Sequence, residues 1–147
     1  NPDFAFPTDY QGVERERRKT CGLQLYQAVK VTREDESGKR NQFLENFRLF
    51  GAPHVALITA PTYLGFYAAL DCGLYVNNFM LAAKSLGVDT IAQAAIAHYS
   101  DFVREYFGID DNRKLVCGVS FGFEDTTHPI NQYRTERAKL DEVVMWK

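Results

Sequence analysis

Two arginines near the C-terminal end of the chain are the side chains whose type and spacing best suit ligand chemistry. Arg134 and Arg137 lie three positions apart in a polar segment. If that segment forms a helical turn, both guanidinium groups face the same side and can bind one anion, such as a phosphate, in bidentate fashion. The residues leave a second interpretation open, in which the two arginines form surface ion pairs with Glu136, Asp141 and Glu142.

The other reactive residue types occur without a spacing that identifies a reaction. His54, His98 and His128 are scattered along the chain, and no CxxC pair accompanies them, so no metal site is predicted. Glu124 and Asp125 follow a predicted strand and could exchange protons, although acidic residues in such loops are more often solvated. The sequence contains no phosphate loop, no GxGxxG pattern and no GxSxG elbow.

The totals narrow the class of protein. With 147 residues, of which 46% are hydrophobic and 24% charged, the chain is expected to form a single globular domain over residues 1–147. The net charge of -2 offers no basic excess for nucleic acid, so no nucleic-acid partner is predicted. Three widely spaced cysteines, Cys21, Cys72 and Cys117, indicate reduced thiols and a cytoplasmic location.

One apolar stretch approaches the length of a membrane span. It covers residues 66–83, but Asp71, Asn77 and Asn78 interrupt it. Polar residues in the middle of a hydrophobic stretch favour a helix buried in protein over one in lipid. We therefore predict a buried helix and no membrane partner. Its small residues, among them Ala68 and Gly73, would allow another helix to approach closely.

Hydrophobic periodicity and turn residues predict where helices and strands lie. In chain order we expect an irregular lead-in over residues 1–10, a helix from about residue 13, a loop or frayed turn over 31–39, and a helix over 41–50 ended by Gly51. A strand over 54–59 and a turn over 60–62 come next, followed by a helix over 65–86 ended by Gly87 and a strand or extended turn over 90–95. The remaining elements are a helix from Ser100 or Asp101 to Phe107 ended by Gly108, a strand over 115–121, a loop over 122–133 and an extended arm over 140–146. The alternation of helices and strands indicates an α+β or α/β layer.

Five segments, in this order, resemble sequences of the nitroreductase family. They are FRLFGAPHV at residues 47–55, DCGLYVNNFMLAA at 71–83, LGVDTIAQAA at 86–95, LVCGVSFGFE at 115–124 and RTERAKLDEVV at 134–144. Residues 47–55 are similar to the family's lead into a core strand, and residues 71–83 to its long central helix. Residues 86–95 are similar to the strand that passes the flavin, and residues 115–124 to the last strand of the sheet. Residues 134–144 are similar to the basic segment before the C-terminus. Lys139 stands where the family usually has a proline.

The family's N-terminal part has no counterpart in these 147 residues. In the family, that part supplies an Arg/Ser cluster for the FMN phosphate and an Asn that contacts the flavin ring. The first residues, Asn1 to Phe4, resemble an interior segment, so we expect the polypeptide to begin upstream.

The resemblance implies an α+β fold with a mixed sheet flanked by helices, in an intertwined homodimer with FMN at the dimer interface. It also implies an FMN-dependent oxidoreductase with NAD(P)H as reductant. By a ping-pong mechanism, hydride would pass from NAD(P)H through N5 of FMN to a nitroaromatic, a quinone or a related small acceptor. Two alternatives remain open: a specialised flavin enzyme of the same fold, such as a dehalogenase, and a non-catalytic flavin-binding protein.

The resemblance also assigns residues to the implied site. Gln93, Ala94 and Ala95 match the segment that passes N5 of the flavin, and we expect the Ala94 backbone N–H to donate to N5 or O4. Arg134 and Arg137 match basic residues near the FMN phosphate. Three aromatic residues at the start of the central helix are expected to line the acceptor pocket, unless they belong to the core: Tyr63, Phe66 and Tyr67. No protein side chain is assigned as a catalytic acid or base.

Overall fold

The computed structural model describes residues 1–147, which form two units. The first unit comprises Asn1–Thr8 and Arg40–Glu124, and the second comprises Asp9–Lys39 and Asp125–Lys147. The elements, in chain order, are α1 (Gly12–Ala28), α2 (Glu36–Leu44), β1 (His54–Pro61), α3 (Gly65–Ser85), β2 (Asp89–Gln93), α4 (Ser100–Phe107), β3 (Arg113–Gly122) and α5 (Leu140–Val143). Short 3-10 helices occupy Glu45–Gly51, Thr62–Leu64, Ala94–Tyr99 and Pro129–Asn131.

The first unit contains a three-stranded sheet in the order β1-β3-β2. Both neighbouring pairs are antiparallel, with Val55 opposite Ser120 and Gln93 opposite Gly118. The α+β class is confirmed, but no parallel pair of the expected mixed sheet occurs among these strands. The reason is topological. β1 and β2 run in the same direction and are joined by α3, yet β3 lies between them, as in a split β-α-β unit.

The core of the first unit lies between the sheet, α4 and the 3-10 helix Ala94–Tyr99. Its buried members are Ile96, Ala97, Val103 and Leu115. Leu115 and Val119 on β3 are fully buried, because β3 is the central strand. The predicted strands over 54–59, 90–95 and 115–121 are each present with bounds shifted by a few residues.

The long helix α3 matches the predicted bounds, and Gly87 follows it with φ +77. The prediction that this helix is buried is wrong for the single chain, since Ala68 is its only buried residue. Three strands cannot cover all sides of a helix that is apolar around most of its circumference, so Leu70, Leu74 and Leu81 stay exposed. None of the helices is both long and apolar enough to span a lipid bilayer.

Residues 1–10 are irregular, as predicted, and the first of them are held to the first unit by polar contacts. Asp3 forms an ion pair with Arg104 on α4, and both side chains are largely buried. The same carboxylate accepts the backbone N–H of Leu115 at 2.7 Å. Phe6 stacks on His98 with ring centroids 4.0 Å apart.

In the second unit, α1 contacts the 3-10 helix Pro129–Asn131, and Arg17 forms an ion pair with Glu142 at 2.8 Å. The predicted loop over 31–39 is partly wrong, because α2 already begins at Glu36. Asp35 precedes it and accepts the backbone N–H of Gly38 at 2.8 Å, which satisfies a donor of the first helical turn. This hydrogen bond also lowers the pKa of the Asp35 carboxyl.

Two further predicted boundaries need correction. The helix over 100–107 is present and ends at Gly108 with φ +63, but neither Ser100 nor Asp101 is its N-cap: Tyr99 occupies that position. The Ser100 hydroxyl instead donates to the carbonyl of Ala97. The arm over 140–146 begins with one helical turn, Leu140–Val143, before the chain becomes irregular.

Candidate functional site at the end of strand β2

The end of β2 places small, exposed residues beside a buried polar one. Gln93 is 2% exposed, whereas Ala92 and Ala94 on either side of it are exposed and Ala95 is partly so. Ala94 is also the first residue of the 3-10 helix Ala94–Tyr99. The first backbone N–H groups of a helix have no acceptor within it, so this is a place where a backbone donor can meet a ligand.

The side-chain amide of Gln93 forms its hydrogen bonds within the first unit. Its Nε2 donates to the carbonyl of Asn46 at 2.8 Å, and its Oε1 accepts the hydroxyl of Ser120. Ser120 is 1% exposed on β3. A ligand at this position can therefore bind the backbone, whereas the side-chain amide of Gln93 is already occupied.

Sequence reasoning did not identify Ser120 or Asn46 as partners of this site. The available signal was a serine in an otherwise apolar central strand, since a buried hydroxyl requires a hydrogen-bonding partner. Nothing in the local sequence indicates which residue supplies that partner.

The three aromatic residues assigned to the acceptor pocket form an exposed group in the first unit. Tyr63, Phe66 and Tyr67 are 83%, 77% and 73% exposed, and the last two rings contact each other edge to face at 5.9 Å. Gly65, which lies between Tyr63 and Phe66, has φ +60, a conformation that favours glycine and allows the sharp entry into α3. The alternative that these rings fill the core is not observed.

The two arginines lie in the second unit, in the irregular segment after Pro129–Asn131. Arg134 Nη1 donates to the carbonyls of Asn131 and Tyr133, both at 2.8 Å. Arg137 Nη1 donates to the hydroxyl and carbonyl of Thr135 and to the carbonyl of Glu136. The alternative of ion pairs with Glu136, Asp141 and Glu142 is not observed, and Glu142 pairs with Arg17 instead.

Each guanidinium therefore keeps donors for another acceptor. A guanidinium carries five N–H groups, and both arginines use only Nη1 in the contacts above. No carboxylate neutralises either charge within 4.0 Å. This arrangement suits an anion that brings its own negative charge.

The remaining reactive residues have structural contacts. His54 stacks on Phe121, and His128 accepts the backbone N–H of Ile130. The hydroxyl of Thr127 donates to Asp125 and lowers the pKa of its carboxyl. No group of three histidine, cysteine or acidic side chains could hold a metal ion.

Two cysteines of the first unit have thiols that burial makes less acidic. Desolvation raises the pKa of Cys72 on α3 and of Cys117 on β3, and the nearby Cys72 adds to the rise at Cys117. Cys21, in the second unit, is exposed. A thiol with a raised pKa is a poor nucleophile near neutral pH, so neither of these partly buried cysteines suits nucleophilic catalysis.

Comparison with known proteins places this geometry in a family. The nitroreductase family model matches residues 10–123. Nitroreductase NfnB of Mycolicibacterium smegmatis is 39% identical over 90% of this chain, and a 4-nitrobenzoate reductase of Pseudomonas putida is 31% identical over 93%. The chain spans 56% and 60%, respectively, of the length of these two relatives.

The backbone agrees over the whole chain with a solved structure. The crystal structure of the FMN-dependent nitroreductase NfnB from Mycobacterium smegmatis in complex with NADPH superposes with a TM-score of 0.95 at 36% identity. This superposition covers 100% of our chain and 66% of that one. With the family model matching most of its residues and the fold matching all of them, the chain belongs to the nitroreductase family.

Proposed function

We propose that this chain forms part of an FMN-dependent NAD(P)H oxidoreductase that reduces nitroaromatic compounds. The observation that carries the proposal is the end of β2, where exposed small residues leave the backbone of Ala94 accessible to a flat ring. Support comes from relatives whose names describe nitroreductases and from a superposed structure described as FMN-dependent with NADPH bound.

Each of the two units, taken by itself, contains residues that fit one part of FMN. At the ring end, Ala92, Ala94 and Ala95 carry only methyl side chains, so a planar ring can approach the backbone closely. In the second unit, Arg134 and Arg137 each keep Nε and Nη2 for an anion such as a phosphate group. Charge-assisted bonds from arginine to phosphate are among the stronger protein hydrogen bonds.

Within this proposal, FMN supplies the electron transfer between NAD(P)H and the acceptor. The chain's own contribution is to bind, orient and stabilise charge. The Ala94 N–H would donate to the N5 or O4 edge of bound FMN, where negative charge develops, and a fixed donor there would stabilise that charge. Exposed rings at Tyr63, Phe66 and Tyr67 provide surfaces for stacking a flat aromatic acceptor.

The proposal includes a homodimer in which a second copy covers α3. Leu70, Leu74 and Leu81 are 49%, 61% and 63% exposed and recur along one side of this helix. A contiguous apolar patch of this kind, on a protein surface that is otherwise polar, is typical of an interaction site. Gly73 and Ala82, on the same helix, are small enough for a second helix to approach closely.

The test is a visible spectrum of the purified chain with FMN, followed by NADPH and then 4-nitrobenzoate under argon. We expect flavin absorbance that persists after desalting, bleaches with NADPH and returns when the nitro compound is added. Alternating reduction and reoxidation in separate additions would agree with a ping-pong order. No retained flavin would contradict the proposal, and retained flavin that no reductant bleaches would indicate a binding protein instead.

A further inference from the structure

The amide of Gln93 bridges β3 to the segment that precedes β1. Ser120 Oγ donates to Gln93 Oε1, and Gln93 Nε2 donates to the carbonyl of Asn46 at 2.8 Å. The orientation of the amide is determined by these partners, because a reversed amide would place its oxygen against the Asn46 carbonyl. At 2% and 1% exposure, Gln93 and Ser120 have no water to replace a lost bond.

The acceptor of this bridge is held by an unusual turn. Leu49 and Phe50 follow Asn46 and form a kink in the segment Glu45–Gly51; their φ values are 57 and 52, and Gly51 has φ 78. Left-handed conformations are unfavourable for residues other than glycine, so packing must impose them. Leu49 packs against the buried cluster around Ile96, and its carbonyl accepts the backbone N–H of Ala52 at 3.0 Å. The Asn46 carbonyl is therefore presented by a constrained piece of backbone.

The short segment that follows Gln93 is fixed by packing as well. Ala94 directly follows Gln93, and Ile96, two residues further on, packs over Gly118 in the buried cluster. Ala94 itself is exposed. The exposed residue Ala94 thus lies between two anchored side chains, and a backbone held in this way suits preorganised electrostatic stabilisation.

We propose that Ser120, Gln93 and Asn46 form a positioning bridge that fixes the Ala94 amide and thereby sets the reduction potential of the bound flavin. This inference rests on the proposed function for the flavin, although the bridge itself does not. Gln93 and Ser120 act here as positioning residues: they hold the backbone that meets the ring. When the bridge is loosened, the Ala94 amide can move. Its N–H then stabilises the reduced, more negative flavin less strongly relative to the oxidised flavin.

The experiment compares Ser120→Ala with Ser100→Ala in the full chain. Both variants remove a buried serine hydroxyl from the first unit, but Ser100 bonds the Ala97 carbonyl and does not touch Gln93. Two quantities are measured: the midpoint potential of bound FMN, and the order parameter of the Ala94 amide from nitrogen relaxation without FMN. We expect Ser120→Ala to lower the affinity for reduced over oxidised FMN about tenfold, or about 30 mV for two electrons.

The order parameter of Ala94 should fall in Ser120→Ala from about 0.85 toward about 0.6 and stay near the rigid value in Ser100→Ala. Gln93→Met, which keeps the length of the side chain and removes both bonds, should give larger changes in both quantities. Equal potentials and equal order parameters for the two serine variants would overturn the inference. If the wild-type chain retains no FMN, the proposed function fails, and the Ala94 order parameter alone decides whether the bridge positions this amide.

Discussion

A methyl group on Gly118 would lie 2.5 Å from Cδ1 of Ile96, so the 3-10 helix after β2 packs directly on the backbone of β3. Gly118 is paired with Gln93 in the sheet, and Ile96 is 7% exposed in the buried cluster. The absence of a side chain at one position of β3 therefore determines how close the segment that carries Ala94 lies to the sheet.

Gly118→Ala is expected to destabilise the chain by about 1–3 kcal/mol, because the added methyl forces Ile96 out of its position. Guanidinium unfolding measures the change. Adding Ile96→Val removes Cδ1 and should recover part of the loss. Gly22→Ala on α1 is the control: no atom lies within 4 Å of the added methyl, and alanine favours a helix, so stability should not fall. Wild-type stability for Gly118→Ala would contradict the close contact.

Asp3→Asn tests what holds the first residues to the first unit. The substitution removes the charge that pairs with Arg104 and weakens the acceptor for the Leu115 N–H. Arg104 keeps Asp101 as a partner, so we expect a loss of about 2 kcal/mol, typical of a hydrogen bond to a charged group. The unfolding midpoint measures it. Asp9→Asn, whose carboxylate bonds only the exposed Gln11, should change stability little; an equal loss in both variants would count against a specific anchor.

The strands and the long helix could be predicted from the sequence because their apolar patterns are local. The network around Gln93 could not, since Asn46 lies 47 residues away and contributes a backbone carbonyl, which every residue possesses. The start of α2 was missed because charged residues over 31–39 look like a loop, although Asp35 supplies a helix cap there. Exposure of α3 also could not be predicted, because an apolar helix looks the same whether its own chain or a second copy covers it.

Arg134→Gln with Arg137→Gln should weaken FMN binding far more than riboflavin binding. The two ligands share the ring and differ in the phosphate, which is the group that the arginines are proposed to bind. Losing charge-assisted hydrogen bonds worth about 1.5–3 kcal/mol corresponds to at least a tenfold rise in the dissociation constant for FMN. Titration calorimetry or flavin fluorescence measures both ligands.

The matched control for the arginine variant is Arg15→Gln. Arg15 lies on α1, forms no ion pair and should leave both affinities unchanged. Equal weakening of FMN and riboflavin by the double variant would mean that the arginines support the fold of the second unit and do not bind the phosphate.

Thiol labelling should follow the order set by burial. Burial raises the pKa of Cys117 and Cys72, so their reactive thiolates form only at higher pH than in the unfolded chain. The pKa of each of these two thiols is higher in the folded chain than in the unfolded chain. Their contribution to the free energy of unfolding is therefore complete below the unfolded pKa and is lost as the pH rises through the folded pKa. Iodoacetamide at pH 8 should modify the exposed Cys21 first, as mass spectrometry of digested protein would show. In denaturant all three should react alike; labelling of Cys117 as early as Cys21 in folded protein would contradict the partial burial and raised pKa of Cys117.

Leu74→Glu combined with Leu81→Glu tests whether a second copy covers α3. Both side chains are more than half exposed in the single chain, so two glutamates should cost the fold little. If the helix packs against its counterpart, the same charges become buried without partners and dissociate the dimer. Light scattering after gel filtration should give twice the chain mass for wild type and 16.8 kDa for the variant.

Val13→Glu on α1, 52% exposed, is the control and should remain dimeric. A dimeric double variant would exclude this face as the interface, and loss of FMN together with the dimer would indicate that both copies contribute to one flavin site.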